Sequence, residues 1–277
     1  MSWQIRGRAP IDGPVLMGIV NVTPDSFSDG GRFFAPERAI EHGRRLVADG
    51  ADVVDVGGES TRPGAEAVSE EEESRRVLPV IEALASDGAI VSIDTSKPTV
   101  ARAAIEVGAS IVNDVSASPE MVELAGETGA GLVIMHMQGT PRSMQVDPAY
   151  VDVVREVRDF LVQRAAFAVD RGVGKSQIVI DPGIGFGKTL EHNLDILTHI
   201  GVFVATDYPV LLGTSRKSFL GVLTGETMPE RRDLATAATT ALAVAAGVFA
   251  VRVHNVAVSR PAMQVAGAMV RNAGVER

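Results

Sequence analysis

Eight times along this chain of 277 residues, a short apolar run ends on polar or glycine-bearing residues and gives way to a helical pattern. The runs are Val15–Asn21, Asp52–Val56, Ala89–Ile93, Ser110–Val112, Gly131–Met135, Gln177–Ile180, Pro209–Leu212 and Val248–Val253. Helical patterns follow at Pro36–Asp49, Ser69–Ala85, Pro98–Val107, Pro119–Thr128, from about Pro148 to Arg171, Leu190–His199, in the Ala-rich stretch beyond Lys217, and at Ala257–Val270. Runs this short and this apolar suit strands covered on both faces, and strict strand–helix alternation implies a parallel sheet. Eight such units without a break in composition predict an α/β fold, a (β/α)8 TIM barrel, with residues 1–277 as a single domain. An open doubly wound sheet is the alternative, but it would more often carry a glycine-rich phosphate fingerprint after its first strand.

With 45% hydrophobic and 22% charged residues the chain reads as soluble and globular. A net charge of −9 leaves no excess of Lys and Arg to neutralise the phosphates of a duplex, so nucleic acid is excluded as a partner. A small anion needs only a local cluster and remains open. No cysteine is present, hence neither a disulfide framework nor a thiolate metal site. Met1–Pro10 lacks the apolar centre of a secretory leader. Leu234–Val251 is uncharged and nearly long enough to span a bilayer, but it is rich in Ala and Thr and broken by Gly247. It reads as a buried small-residue helix followed by a strand, so the expectation is no membrane association and a cytoplasmic location.

The polar residues that end the runs carry the functional argument. Asn21, Glu59, Asp94, Asn113, His136, Asp181, Ser215 with Lys217, and Arg252 with His254 all fall at the C-terminal ends of predicted strands. Each has a local explanation; Asp94 could cap the helix opened by Pro98, and Asp181 could shape a Pro-Gly turn. Turn chemistry alone does not explain eight strands ending this way, and in a barrel those ends share one mouth where the chemistry is kept. Arg252 and His254, two apart on the last strand, face one side beside Ser215-Arg216-Lys217 and suit a phosphate or pyrophosphate. An internal ion pair between Arg252 and a barrel carboxylate is the competing reading. Asp94, Asn113 and Asp181 suit a flat ligand with adjacent N–H donors, such as a 2-amino-4-oxo pyrimidine edge. A divalent metal is the other possibility for these carboxylates, and Lys217 nearby counts against it.

Gly183-Ile184-Gly185-Phe186-Gly187-Lys188-Thr189 is not a P-loop, because Pro182 stands where the first glycine is required. A turn that places Phe186 over the mouth is the better reading. The segments Val22–Phe34 and Gly58–Val68 are long for barrel connections, as lid loops often are.

Met17-Gly18-Ile19-Val20-Asn21-Val22-Thr23-Pro24-Asp25-Ser26-Phe27-Ser28-Asp29-Gly30-Gly31 strongly resembles the first signature of dihydropteroate synthases, and Asp55-Val56-Gly57-Gly58-Glu59-Ser60-Thr61-Arg62-Pro63-Gly64 the second. Ile93–Pro98, Asn113–Ser116, Met135–Pro141, Asp181–Lys188, Ser215–Ser218 and Arg252–His254 continue the likeness in order, over about Val15 to Val270. Asn255 departs from the pattern, where an Asp often follows the His. The resemblance implies an enzyme that condenses 6-hydroxymethyl-7,8-dihydropterin diphosphate with 4-aminobenzoate, giving 7,8-dihydropteroate and pyrophosphate in folate biosynthesis. It implies that Asp94, Asn113, Asp181 and Lys217 hold the pterin. Asn21 would offer its amide oxygen to a Mg²⁺ cofactor, and would bind the diphosphate with Thr61, Arg252 and His254. Phe27, Arg62, Pro63, Phe186, Lys217 and Ser218 would border the aminobenzoate. Lys217, Asp94, Arg252 and His254 would be the catalytic group. The family likeness also implies a sulfonamide target. Two alternatives are a pterin-dependent methyltransferase barrel, which would not need the first loop, Arg252 or His254, and a non-catalytic pterin-binding paralogue, which should have lost Lys217, Arg62 or the Asp25–Phe27 loop. The apolar faces of Leu234–Gly247 and Pro261–Val270 predict a homodimer.

Overall fold

A computed structural model describes residues 2–23, 36–60, 67–114, 116, 118–140 and 143–275. Among these residues the strands β1 (Val15–Asn21), β2 (Val53–Gly57), β3 (Val91–Asp94), β4 (Ile111–Asp114), β5 (Gly131–Met135), β6 (Ile178–Asp181), β7 (Leu211–Leu212) and β8 (Ala250–Val253) run parallel in the order β6-β5-β4-β3-β2-β1-β8-β7. A bridge from Ile180 to Val210 joins β6 to the chain entering β7 and closes the barrel. The outer ring holds α1 (Pro36–Ala48), α2 (Glu70–Ser86), α3 (Pro98–Glu106), α4 (Pro119–Thr128), α5 (Val153–Asp170), α6 (Leu190–Thr198), α7 (Gly201–Val204), α8 (Ser218–Thr224), α9 (Asp233–Ala245) and α10 (Val256–Val275). Ser69, Ser118, Asp152 and Thr189 cap α2, α4, α5 and α6 with side-chain oxygens that accept a first-turn N–H. Each such cap is worth about 1 kcal/mol.

Strand alternation sorts the apolar runs into two cores. Leu16, Val54, Val112, Leu132, Ile180 and Val251 face the helices. Val15, Met17, Val53, Ile111, Val133, Val179, Leu211 and Ala250 fill the barrel interior. Two residues beyond four of these inward positions the barrel changes character. After Val53 comes Asp55, after Ile111 Asn113, after Val179 Asp181 and after Ala250 Arg252. The period of two therefore places a polar layer directly above the apolar one.

Two features differ from the sequence expectation. The sequence reading places no element in Met1–Pro10, yet Ser2–Trp3 pairs antiparallel with Ile11–Asp12, and Trp3 and Ile5 are buried in the interior cluster. Trp3 donates its Nε1–H to the Gln177 carbonyl at 2.7 Å and meets Phe249 edge-on at 6.5 Å. These side chains stopper the N-terminal end of the barrel. Secondly, α9 is not buried all round. Thr236, Ala237, Thr240, Ala243 and Val244 pack inward, while Leu234 is 79% and Leu242 71% exposed. Among the described residues, no helix is long and apolar enough to cross a membrane.

Candidate active site

The polar layer is organised by Arg252. Its Nε donates to Asp55 Oδ2 and its Nη2 to Asp94 Oδ2, each at 2.6 Å. Asn113 Nδ2 donates to the same Asp55 oxygen at 3.0 Å, which turns the Asn113 carbonyl oxygen away from that contact. The β2–β3–β4 register supports this, since Gly57 pairs with Asp94 and Asp94 with Asn113. Burial pushes Asp94 up to about 7, Asp55 adds to the rise, and Arg252 opposes it. The ion pair weighed as the alternative for Arg252 is therefore present. Its Nη1 group engages neither carboxylate, so an anion could still be met from that side.

Asp55, fully buried, was not singled out by its sequence. The signal was available: it is the one charged inward position in an otherwise apolar strand, two residues after Val53. Among the described residues its Oδ1 has no hydrogen-bond partner.

Asp181 closes β6 and is buried. Its Oδ1 accepts the Gly183 N–H at 2.7 Å, and burial raises its pKa. Lys217, at the N-terminus of α8, donates to the Ile184 carbonyl and lies 4.2 Å from the centre of the Phe186 ring. Burial pulls its ammonium down to about 8, while Asp181 and Asp94 hold the charge and Arg252 repels it. Phe186 is thus part of this wall, as its place in the turn predicted; Ser218 is exposed at the first turn of α8.

Ser215 Oγ accepts the His254 backbone N–H at 3.0 Å and lies 2.9 Å from His254 Nδ1. The contact engages Nδ1, so Nε2 is the ring nitrogen that Ser215 does not hold. Arg216 takes positive φ (59°) and forms a two-point ion pair with Asp233 at 2.7 and 2.9 Å. Asn255 donates to the same Asp233 at 2.7 Å, so the amide at this position works as a second donor holding the turn that carries Ser215 and Lys217.

Two further buried clusters escaped the sequence reading because their members lie far apart along the chain. Lys97 donates to both Glu59 and Glu73, with Glu59 also accepting the Val68 N–H at 3.3 Å. Lys188 is 3% exposed and lies 3.0 Å from His136 Nδ1. Burial and the Lys188 charge hold His136 down at about 3, and burial draws Lys188 to about 7 with Asp181 opposing.

Asn21 ends β1 half-buried, with Gly57 as its register partner, so a neighbouring side chain does not crowd it. Among the described residues no group of three or more His, Asp or Glu is gathered as a metal site. Phe27, Thr61, Arg62 and Pro63, with most of the two long loops, lie outside the described residues.

This constellation at the C-terminal mouth has close parallels. A family model described as pterin binding enzyme matches residues 17–254. The dihydropteroate synthase of Neisseria meningitidis serogroup C is 45% identical over 269 residues, 95% of each chain. The chain belongs to the dihydropteroate synthase family. Its members are transferases, and the likeness extends to three dimensions. A Burkholderia cenocepacia dihydropteroate synthase complexed with 7,8-dihydropteroate superposes with a TM-score of 0.89 at 41% identity, covering 100% of this chain and 98% of that one. A Yersinia pestis dihydropteroate synthase in a sulfonamide drug complex gives 0.91 at 40% identity, covering 97% and 99%.

Proposed function

We propose that residues 1–277 form one pterin-binding barrel domain whose mouth joins 6-hydroxymethyl-7,8-dihydropterin diphosphate to 4-aminobenzoate, releasing pyrophosphate and 7,8-dihydropteroate for folate biosynthesis. The observation that carries this reading is the convergence of Asp94, Asn113, Asp181, Lys217 and Arg252 in one layer above an apolar barrel core. Asp94 and Asp181 accept N–H donors from the pterin, Asn113 meets the ring with its carbonyl oxygen, and Lys217 donates to a ring acceptor. Carboxylates beside the ring also favour positive charge on it as the methylene C–O bond breaks. Arg252 through Nη1 and His254 through Nε2 receive the departing pyrophosphate, aided by Thr61. The aminobenzoate nitrogen then forms the new C–N bond and loses its proton. Phe186, Lys217 and Ser218 form the described part of its pocket, and Phe27, Arg62 and Pro63 are assigned to the remainder. The same pocket is proposed to take sulfonamides, as supported by the Yersinia pestis complex.

Asn21 offers a hard neutral oxygen of the kind a Mg²⁺ on the diphosphate would accept. When bound, the ion would supply neutralisation of the leaving group's charge. Incubating the purified protein with both substrates and Mg²⁺ should give a product of the mass of 7,8-dihydropteroate; no such product would overturn the reading.

The charge states of the layer give a pH profile. The carboxylate of Asp94 is the accepting form, and its pKa near 7 means that acid removes it. Lys217 loses its proton above about 8. Pterin affinity should therefore be bell-shaped, falling roughly tenfold per pH unit below the acid limb. Asp94→Asn should weaken that limb and leave the part that Asp181 contributes, and calorimetry from pH 5.5 to 9.5 checks both. An affinity independent of pH below 7 would count against Asp94 as a ligand.

We further read the protein as a cytoplasmic homodimer. Leu234 and Leu242 of α9 lie exposed, as do Val265 and Met269 of α10, the helix α9 packs against most. Such a face supports burial against a second copy. Light scattering at micromolar concentration should report twice the chain mass, and Leu242→Glu with Val265→Glu should halve it.

A further inference from the structure

The turn Gly183–Thr189, rejected above as a phosphate loop, has a purpose that the reaction as described leaves unused. In a phosphate loop the backbone N–H groups converge on an anion. Here the carbonyls converge on cations and donors instead. Lys188 Nζ lies 3.0 Å from the Gly183 and Phe186 carbonyl oxygens and 3.4 Å from that of His136, in addition to His136 Nδ1. The Ile184 carbonyl accepts from Lys217, that of Gly185 from Gln145 Nε2 at 2.8 Å, and that of Gly187 from the Tyr150 hydroxyl at 2.8 Å. Every carbonyl from 183 to 187 is thus taken by a side-chain donor.

The three glycines make this possible. Gly183, Gly185 and Gly187 adopt φ of 66°, 81° and 61°, the left-handed region that reverses the chain at alternate residues. A Cβ at Gly183 would come within 2.0 Å of the His136 carbonyl oxygen. Around Lys188 the carbonyls can only accept, so the nitrogen they surround serves as their shared donor, and without it their dipoles would oppose one another in a buried space. On the far side the same turn presents the Ile184 carbonyl and the Phe186 ring to Lys217.

We infer that Lys188 is a positioning residue, an internal ammonium that holds the 183–187 turn in the shape that fixes Lys217 beside Asp181. This rests on the functional assignment of Lys217 above and deepens it, since Lys188 acts on the substrates only through its neighbour.

Lys188→Ala removes the ammonium and leaves a space that a small cation can enter. The expected result is a roughly tenfold rise in KM for 4-aminobenzoate and an equal loss of affinity for 6-hydroxymethylpterin, with kcat changed less than about threefold. Methylammonium at 100 mM should restore most of the loss, whereas tetramethylammonium, which cannot donate a hydrogen bond, should not. In a Lys217→Met background, Lys188→Ala should weaken pterin binding no further. Should Lys188→Ala fail to fold, Lys188→Gln, which keeps an N–H donor group in the cage without the charge, should show the same KM effect at smaller size. Unchanged KM and pterin affinity, whatever the melting temperature, would overturn the inference. So would losses that methylammonium does not repair and that add to those of Lys217→Met. A wild-type protein that makes no dihydropteroate would instead remove the functional reading itself.

Discussion

Asp181→Asn is expected to bind pterin about 30- to 900-fold more weakly than the wild type while melting at nearly the same temperature. The reasoning starts from the Gly183 N–H, which already occupies Asp181 Oδ1 at 2.7 Å. An Asn at this position must keep its single oxygen turned to that N–H, because the alternative buries two donors against each other. Its NH₂ group then takes the place of the second carboxylate oxygen and faces the N–H donors of the pterin. The loss is a charge-assisted pair plus a donor set against a donor, roughly 2–4 kcal/mol. Calorimetry with 6-hydroxymethylpterin measures it. An affinity within a factor of three of wild type in a folded variant would remove Asp181 from the pterin site.

Arg252→Met should be the most destabilising change in the barrel mouth. It leaves Asp55 and Asp94 facing each other in a buried layer, one fully buried and both without their cation. Breaking a buried pair by removing one partner costs about 3–5 kcal/mol. For a chain of this size that is a fall in Tm of roughly 6–20 °C. Turnover should drop further than stability explains, since the residue proposed to receive the pyrophosphate is lost as well. Asp55→Asn in the Arg252→Met background should recover part of the Tm, because it deletes the charge that was stranded. Scanning calorimetry of the two variants decides this; a double variant no more stable than Arg252→Met would place the cost elsewhere than in uncompensated charge.

How far the sequence could be read follows from the range of each interaction. α4 and β5 were bounded as observed, at Pro119–Thr128 and Gly131–Met135, because Ser118, Pro119 and Gly129 mark their ends within a few residues. The barrel itself was legible because strands covered on both faces leave unbroken apolar runs. α8 was missed, since seven residues interrupted by Gly221 show too little periodicity. The N-terminal ribbon was missed for another reason. Its value lies in what Trp3 touches, and Gln177 and Phe249 are remote in sequence. Asp94, Asn113, Asp181 and Lys217 stand out in the sequence from their place after apolar runs, and the structure puts them at the C-terminal ends of strands or just beyond. Asp55 does not stand out, because it interrupts such a strand from within. Whether Arg252 pairs with carboxylates or with an anion could not be read from spacing, as both follow from one inward position. The structure has it paired with Asp55 and Asp94.

Among the described residues, Trp3, Ile5 and Phe249 fill the N-terminal end of the barrel. The buried layer of Asp55, Asp94, Asp181, Arg252 and Lys217 lies at the opposite end, at the mouth where the substrates are proposed to bind. A flat ligand lying across that mouth therefore does more than satisfy hydrogen bonds. It displaces solvent from that side, and every attraction beneath it strengthens as the local dielectric falls. Occupancy above and charge coupling below become one event, so the protein should hold its internal ion pairs most firmly at the moment its first substrate is in place.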